Sequence, residues 1–113
     1  MKKTAITTLL LVMAAMLPAL AKGIKTETIK LPTLQCGMCK ETIEAKMKEL
    51  KGVKSIDVDV EKLNATVAYD SAVLTTAKIE QAIAAIGYDA NDTRASRRAQ
   101  RKLDKCCQPG AHR

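Results

Sequence analysis

The amino-acid sequence predicts a small α+β domain with an antiparallel sheet and two helices on one face of that sheet. Two observations carry this prediction. Segments in which apolar and polar residues alternate, the pattern of a half-buried strand, are interrupted by two segments in which apolar residues recur every three or four positions, the pattern of an amphipathic helix. The order along the chain is strand, helix, strand, strand, helix, strand.

The first strand and the first helix flank a short loop without periodicity. Residues 24–31 are rich in Thr and Ile and end at Pro32, which cannot donate a hydrogen bond to a neighbouring strand. Apolar residues then recur at helical spacing from Lys40 to Leu50. Gly52 marks the end of this helix, because glycine is favoured just beyond a helix C-terminus.

The second half of the domain consists of a hairpin, a helix and a last strand. Residues 53–60 and 65–69 both alternate, and the short turn between them predicts an antiparallel hairpin. A second amphipathic helix follows and ends before Gly87. Residues 88–90 then form a short last strand.

This order of elements is the ferredoxin-like βαββαβ sandwich, for which we expect a four-stranded antiparallel sheet. The predicted core consists of apolar residues from both helices and from the first three strands, and we expect the loop before the first helix to lie outside it. Its members are Ile29, Leu31, Ile43, Met47, Leu50, Ile56, Val58, Val60, Val67, Ile79, Ile83 and Ile86. Residues 22–92 are predicted to form this domain, and residues 93–113 a basic C-terminal extension.

Residues 1–21 have the three parts of a secretory signal peptide: a basic start, an apolar run over residues 5–17, and small residues up to Ala21. The alternative is a membrane anchor, but this run is shorter than the roughly 20 residues that cross a bilayer. We therefore expect cleavage after Ala21. The mature protein is then periplasmic or secreted and does not span a membrane.

Positive charge is concentrated in the C-terminal extension. The whole chain has a formal charge of +7. Residues 22–92 carry ten lysines against eleven acidic residues, whereas residues 93–113 carry seven basic residues against Asp104 alone. Only two residues are aromatic in the whole chain, so it lacks the stacking platform with which proteins bind single-stranded nucleic acid. We expect no nucleic-acid partner.

The four cysteines form two close pairs, Cys36 with Cys39 and Cys106 with Cys107. Two disulfides would be the usual use of four cysteines in an exported small domain. The spacing argues against this, because a bridge between adjacent cysteines is strained and a bridge from 36 to 39 closes too short a loop to stabilise much. Reactive or metal-binding thiols are favoured, and a long-range bridge between the pairs stays open.

The Cys-x-x-Cys loop opens the first helix within the βαββαβ order, and Gly87-Tyr88 precedes the last strand. In these respects residues 24–92 resemble the heavy-metal-associated domain family. That family includes small copper chaperones, periplasmic mercury-binding proteins and the metal-binding modules of P-type metal ATPases. The resemblance implies that Cys36 and Cys39 bind a metal ion and that the protein is a metal carrier and not an enzyme.

This sequence departs from the common loop of the family, Gly-Met-Thr-Cys-x-x-Cys, at two positions. Leu34 stands where the family has Met, and Gln35 where it has Thr. The family Met is usually a buried residue that steadies the loop, a role that Leu34 can fill. Met38 is expected to be a solvent-facing spacer between the cysteines, with an auxiliary ligand as the alternative. Tyr88 is expected either to shield the metal or to pack at the rim.

The predicted ion is thiophilic. Thiolates select soft ions such as Cu(I), and two thiolates suit a linear or three-coordinate ion, whereas Zn(II) normally takes four ligands. We expect Cu(I) first, with Hg(II) and Zn(II) as alternatives. An open site suits a carrier, because a partner thiolate can attack before the first ligands leave. The expected partner is a metal-transporting membrane protein or another metal-binding protein.

The tail contains a second group of soft ligands, Cys106, Cys107 and His112. In one arrangement the tail folds over the domain and its cysteines complete the shell of Cys36 and Cys39, which would permit Zn(II). In the other it forms a separate, exposed site that passes an ion to that pair. The sequence favours the separate site.

Two other functions remain open at this point. The sequence Cys36-Gly37-Met38-Cys39 resembles the Cys-Gly-Pro-Cys dithiol of thioredoxins, which would make the protein a dithiol oxidoreductase. Against this, Gln35 replaces the usual Trp and the chain has too few strands for a thioredoxin sheet. The last possibility is an interaction module whose cysteines are joined in disulfides.

Overall fold

The computed structural model describes residues 23–110. The predicted signal peptide and His112 lie outside the described residues. The elements in chain order are β1 (Ile24–Lys30), α1 (Gly37–Lys48), β2 (Val53–Asp59), β3 (Asn64–Asp70), α2 (Thr76–Ile86), α3 (Arg97–Arg101) and a C-terminal 3-10 helix (Lys105–Cys107). Among residues 23–110, no helix has the length and apolar character needed to cross a membrane.

The sheet has the order β1-β3-β2, and both pairs of strands are antiparallel. Ala65 of β3 lies opposite Ile29 of β1 on one side and Val58 of β2 on the other. The β2-β3 turn is stabilised by Asp59, whose carboxylate accepts hydrogen bonds from the backbone N–H groups of Glu61 and Lys62, both at 3.0 Å. The predicted hairpin is confirmed.

The two long helices pack on the sheet because each has one apolar face. Helix α1 buries Cys39, Ile43 and Met47, which are four residues apart and therefore share a face. It is tied to β2 by Glu44, whose carboxylate accepts a 3.1 Å hydrogen bond from the backbone N–H of Val58. Helix α2 begins at the Thr75 cap, whose side chain accepts from the backbone N–H of Lys78. The α+β class with an antiparallel sheet is confirmed.

The predicted fourth strand is wrong: the sheet of the described residues has three strands. Residues 88–90 form no ladder with β1. Among the described residues, the backbone hydrogen bond at this edge comes from the N–H of Asn91, just beyond the segment, to the carbonyl of Lys30 at 2.8 Å. The N–H of Lys30 is taken by the side chain of Asn91 instead. The backbone of Asn91 has a positive φ of 51°, and the chain turns there through the Ala90–Thr93 bridge, so no ladder develops.

The core contains nine of the twelve predicted residues as buried side chains, and Leu50, Val60 and Ile86 pack at its rim. The expectation that the Cys-x-x-Cys loop lies outside the core is wrong. Leu34 is buried, as its place in the loop predicts, and Cys39 is also part of the core. Cys107 of the C-terminal extension is buried in the same cluster.

Candidate metal centre

The first functional feature is the pair Cys36 and Cys39 at the start of α1. Cys36 is the extended residue that precedes the helix, and Cys39 lies in the first turn. Residues three apart at a helix start face the same side, so their two sulfur atoms lie 3.8 Å apart. Cys36 is half-buried and Cys39 is completely buried. One sulfur is therefore open to an incoming ligand, and the other is held by the core.

The helix start lowers the pKa of the Cys36 thiol. Its pKa falls from 9.0 to about 7, chiefly because the backbone N–H of Cys39 points toward its sulfur, with the N–H of Met38 and the Cys39 thiol acting in the same direction. The unpaired N–H groups of a helix N-terminus carry partial positive charge and favour a thiolate. Desolvation opposes the shift and is the smaller effect. Near neutral pH this thiol is therefore poised to ionise.

The C-terminal extension brings the other two cysteines to the same place. The sulfur atoms of Cys36, Cys106 and Cys107 all lie within 4.8 Å of one another. The sulfurs of Cys106 and Cys107 are 3.8 Å apart, and the Cys106 thiol donates a 3.4 Å hydrogen bond to the Met38 sulfur. The tail is thus folded over the domain, and the separate exposed site that the sequence favours is not the arrangement found. No disulfide joins any of these four cysteines.

The tail thiols are less acidic than Cys36. Burial is the main cause that raises the pKa of Cys107 far above its usual value, and the nearby Cys39 adds to it. The pKa of Cys106 is also raised: the Cys107 thiol lowers it, but desolvation and the sulfurs of Cys36 and Cys39 together prevail. Cys36 therefore ionises more readily than an ordinary cysteine, and the two tail thiols less readily.

A close approach at Gly87 explains why the tail can reach the cluster. Gly87 ends α2 with a φ of 126°, and a Cβ placed there would lie 2.9 Å from the carbonyl oxygen of Ala99 and 2.9 Å from Cγ of Leu103. Only glycine allows α3 and the residue beyond it to pack so closely. Leu103, the one large apolar residue of the tail, packs against the core at this point.

Hydrogen bonds fix the two ends of the tail. At its start, the Asp89 carboxylate accepts a 2.9 Å bond from the backbone N–H of Ala95, and the Thr93 hydroxyl donates to Glu80 at 3.1 Å. At its end, the Gln108 amide donates a 3.1 Å bond to the carbonyl of Leu103. The sequence indicates a weakly apolar helix over residues 95–105, whereas α3 is only five residues long, because the chain is already extended at Asp104.

Tyr88 faces two sulfur atoms of the cluster, those of Cys39 and Cys107. Its side chain is fully buried, and its hydroxyl makes no hydrogen bond to any partner. Burial raises its pKa strongly, and the thiols that face it, Cys39 and Cys107, act in the same direction. A buried hydroxyl without a partner costs free energy. Here its surroundings are sulfur atoms, which become good acceptors once they are thiolates.

The structure thus brings together four of the five residues predicted as metal ligands: Cys36, Cys39, Cys106 and Cys107. Within residues 23–110, no histidine or carboxylate joins the sulfur group. Met38 is half exposed, as a spacer would be, yet its sulfur touches Cys106. Sequence reasoning missed the role of Gly87 in docking the tail. The four-residue spacing of Leu103 and Cys107 is the signal that could have predicted a buried tail face.

The comparisons with known proteins agree with this geometry. The model of the heavy-metal-associated domain family matches residues 28–89. A copper chaperone, CopZ, from Staphylococcus saprophyticus is 38% identical over 64 residues, which are 57% of this chain and 94% of that protein. A mercuric transport protein periplasmic component from Pseudomonas aeruginosa is 31% identical over 78 residues, which are 69% of this chain and 86% of that protein.

Among solved structures, oxidized MerP from Ralstonia metallidurans CH34 matches with a TM-score of 0.58 at 29% identity, covering 60% of this chain and 94% of that one. The family match ends at residue 89. The tail that carries Cys106 and Cys107 therefore lies beyond it.

Proposed function

The chain belongs to the heavy-metal-associated domain family, and we propose that it is an exported protein that binds a soft metal ion at Cys36 and Cys39 and passes it to a partner. The single observation that carries this proposal is the pair of sulfur atoms 3.8 Å apart at the start of α1. The half-buried Cys36 thiol can ionise near neutral pH, and the buried Cys39 fixes the second sulfur. Thiolates at this spacing bind thiophilic ions.

Cu(I) is the ion we propose, with Hg(II) next and Zn(II) as a further alternative. No histidine nitrogen or carboxylate oxygen joins the sulfur group among residues 23–110, which favours soft ions over hard ones. One relative, 38% identical, is named a copper chaperone, and another, 31% identical, is named a mercuric transport component. These two names support Cu(I) first and Hg(II) second. A metal-transporting membrane protein or another metal-binding protein is the partner we propose.

Transfer would proceed by ligand exchange and without electron transfer. An incoming thiolate donates a lone pair to the ion and forms a new metal–sulfur bond. A bond from the ion to Cys36 then breaks, and the released thiolate is stabilised by the N–H groups at the start of α1. The half-exposed position of Cys36 makes it the sulfur that a partner can reach.

Export rests on the signal-peptide pattern of residues 1–21, and we propose a periplasmic or secreted location on that basis. We also propose that the protein is not an enzyme. The relatives are named for metal binding and transport, which supports this. A disulfide-exchange assay tests it, and turnover of a disulfide substrate would revive the oxidoreductase alternative.

Cys36→Ser tests the metal site. Its sulfur belongs both to the pair with Cys39 and to the group with the tail cysteines, so the variant weakens any of these arrangements. We expect the reduced wild-type protein to bind one Cu(I) per chain, and the variant to lose about 100-fold or more in affinity, because a strong soft ligand is removed. The measurement is a competition titration against a coloured Cu(I) chelator.

Gly37→Ser is the matched control, since a side chain at Gly37 meets nothing within 4 Å and both cysteines remain. It should bind Cu(I) as the wild type does. Circular dichroism should show the same helix and sheet content in all three proteins. If Cys36→Ser binds Cu(I) with unchanged affinity, the proposed function is wrong.

A further inference from the structure

We propose that Cys106 and Cys107 are resident ligands of the metal, so that the ion is enclosed in a shell of four thiolates, two from the domain and two from the tail. This inference rests on the proposed function, because it adds two ligands to the Cys36 and Cys39 pair. It concerns the tail beyond residue 89, where the family match ends. The ions that fit are thiophilic and accept three or four sulfurs, Zn(II) among them.

The distances between sulfur atoms fit a closed shell. At a metal–sulfur distance of about 2.3 Å, sulfurs lie about 3.8 Å apart in a tetrahedral shell and about 4.6 Å apart in a linear one. Both pairs are 3.8 Å apart, which is the edge of a tetrahedron. The sulfur of Cys36 also lies within 4.8 Å of both tail sulfurs. Cys39 lies outside this group of three and joins it through its 3.8 Å contact with Cys36, so a side-chain movement is needed to bring all four sulfurs around one ion.

The tail is held in place by its own packing, so its cysteines do not meet the pair by chance. Leu103 and Cys107 are packed against the core, and Gly87 leaves the space that this packing needs. The Gln108 amide holds the last turn against the carbonyl of Leu103. A ligand carried on a docked segment costs little conformational entropy when it binds.

The unpartnered hydroxyl of Tyr88 is a second and independent sign of a filled site. It is buried and faces Cys39 from the domain and Cys107 from the tail. A phenol can donate to one of two metal-bound thiolates, and such hydrogen bonds hold ligands in place and tune the metal. The position of the Tyr88 hydroxyl, between the sulfur of Cys39 and that of Cys107, is explained if both sulfurs bind the same ion.

The shell forms without oxidation or reduction. Each metal–sulfur bond uses a lone pair of a thiolate, and every one of the four thiols that is still protonated releases its proton to the solvent as the bond forms. The basic residues of the tail offset the negative charge that four thiolates bring, and Lys105 directly precedes Cys106. Because the tail covers the ion, a partner must displace tail ligands before it can take the metal.

Zn(II) is the probe that tests the proposal, because two thiolates alone hold it poorly. We expect wild-type protein to bind one Zn(II) per chain with four sulfur neighbours by X-ray absorption. Cys106→Ser/Cys107→Ser should lose about 100-fold or more in Zn(II) affinity, since half of the ligands are gone. It should keep one Cu(I) on Cys36 and Cys39. Pro109→Ser is the control, because Pro109 is an exposed residue of the tail and its replacement leaves all four thiols and every charged side chain in place.

Two further measurements keep the proposal testable if replacement of the buried Cys107 loosens the tail. Cys106→Ser changes only the half-buried thiol, and it should lower the sulfur count around Zn(II) by one. In unmodified protein, one equivalent of Zn(II) should protect Cys106 and Cys107 from alkylation together with Cys36, as seen by mass spectrometry of the labelled peptides.

The outcomes separate this inference from the proposed function. If the double variant binds Zn(II) and Cu(I) as the wild type does, the four-thiolate shell is wrong and the two-cysteine carrier stands. If Cys36→Ser/Cys39→Ser still binds a full equivalent of Zn(II), the tail is a separate site and the shell is also wrong. If the wild type binds no Cu(I), the proposed function itself fails.

Discussion

At the scale of single residues, Cys36 has the most consequential position, because its sulfur belongs to the pair with Cys39 and to the group with both tail cysteines. It is also the thiol whose pKa is lowered, to about 7. In the folded protein, deprotonation of Cys36 therefore favours the native state. That stabilisation is fully present above the unfolded pKa of 9.0 and is lost as the pH falls through about 7.

This lowered pKa predicts selective alkylation of the metal-free protein. The rate at Cys36 should rise with pH to a plateau with its midpoint near pH 7, because the thiolate is the reactive form. Cys107 should stay unreactive until the pH is far higher, since it is buried and its pKa is raised. The measurement is site-resolved alkylation by iodoacetamide between pH 5 and 10. A midpoint for Cys36 near 9 would contradict this assignment.

Sequence alone identifies these cysteines as candidate metal ligands, but it does not predict how they differ in burial and contacts. A Cys-x-x-Cys at a helix start indicates a lowered cysteine pKa, and the structure agrees for Cys36. The sequence pattern does not predict that Cys107 of the tail is buried in the same cluster as Cys39, because these residues lie 68 positions apart in the chain. Met38 illustrates the same limit: its contact with Cys106 joins two segments that no local pattern connects.

At the scale of elements, the alternating and helical patterns predict β1, β2, β3, α1 and α2, since each buries one face whose period is visible in the sequence. The predicted last strand does not form, because strand pairing at the β1 edge of the sheet is decided by backbone hydrogen-bond partners and not by apolar residues. Ala90 is buried as a strand residue would be, yet the positive φ of Asn91 and its side-chain bond to Lys30 replace the ladder.

Gly87, at the end of α2, leaves the space in which the tail packs, and Gly87→Ala should therefore undock the tail. The new Cβ would meet the carbonyl oxygen of Ala99 and the side chain of Leu103. A positive φ also costs a non-glycine residue about 1–2 kcal/mol, so the variant should be less stable to unfolding. The specific expectation is faster alkylation of Cys107 in the folded protein.

Gly52→Ala is the matched control for this experiment. Gly52 also has a positive φ, of 102°, and its Cβ would approach the side chains of Leu74 and Val73 at 3.0 Å, away from the tail. It should be destabilised to a similar extent without a change at Cys107. If both variants expose Cys107 equally, general loosening explains the effect and the docking role of Gly87 is wrong.

At the scale of the whole molecule, the protein consists of a family domain and a tail that packs on the same core. The domain is predictable because its residues 28–89 have the pattern of a known family. The position of the tail is not, since its composition is mostly basic and polar and its docking depends on Gly87, Leu103 and Cys107 meeting in space. The tail covers both the buried thiol of Cys39 and the ring of Tyr88.

Removal of residues 93–113 should leave a folded domain and uncover Tyr88. In the intact chain burial is the main cause that raises the pKa of this phenol, with Cys39 and Cys107 adding to it, so the truncated protein should ionise Tyr88 closer to the ordinary value of 10.0. The measurement is the rise of tyrosinate absorbance with pH in a Tyr69→Phe background, where Tyr88 is the only tyrosine. Circular dichroism at each pH verifies that the domain is still folded.

The comparison between the two lengths decides how the tail serves the site. If Tyr88 titrates near pH 10 only after truncation, the tail keeps water away from Tyr88 and from the sulfurs that face it. Loss of the tail should then also raise the rate at which Cu(I) leaves. If Tyr88 titrates at the same pH in both proteins, the tail does not cover it in solution. The docked tail would then be wrong, and with it the requirement that a partner displace the tail before it takes the metal.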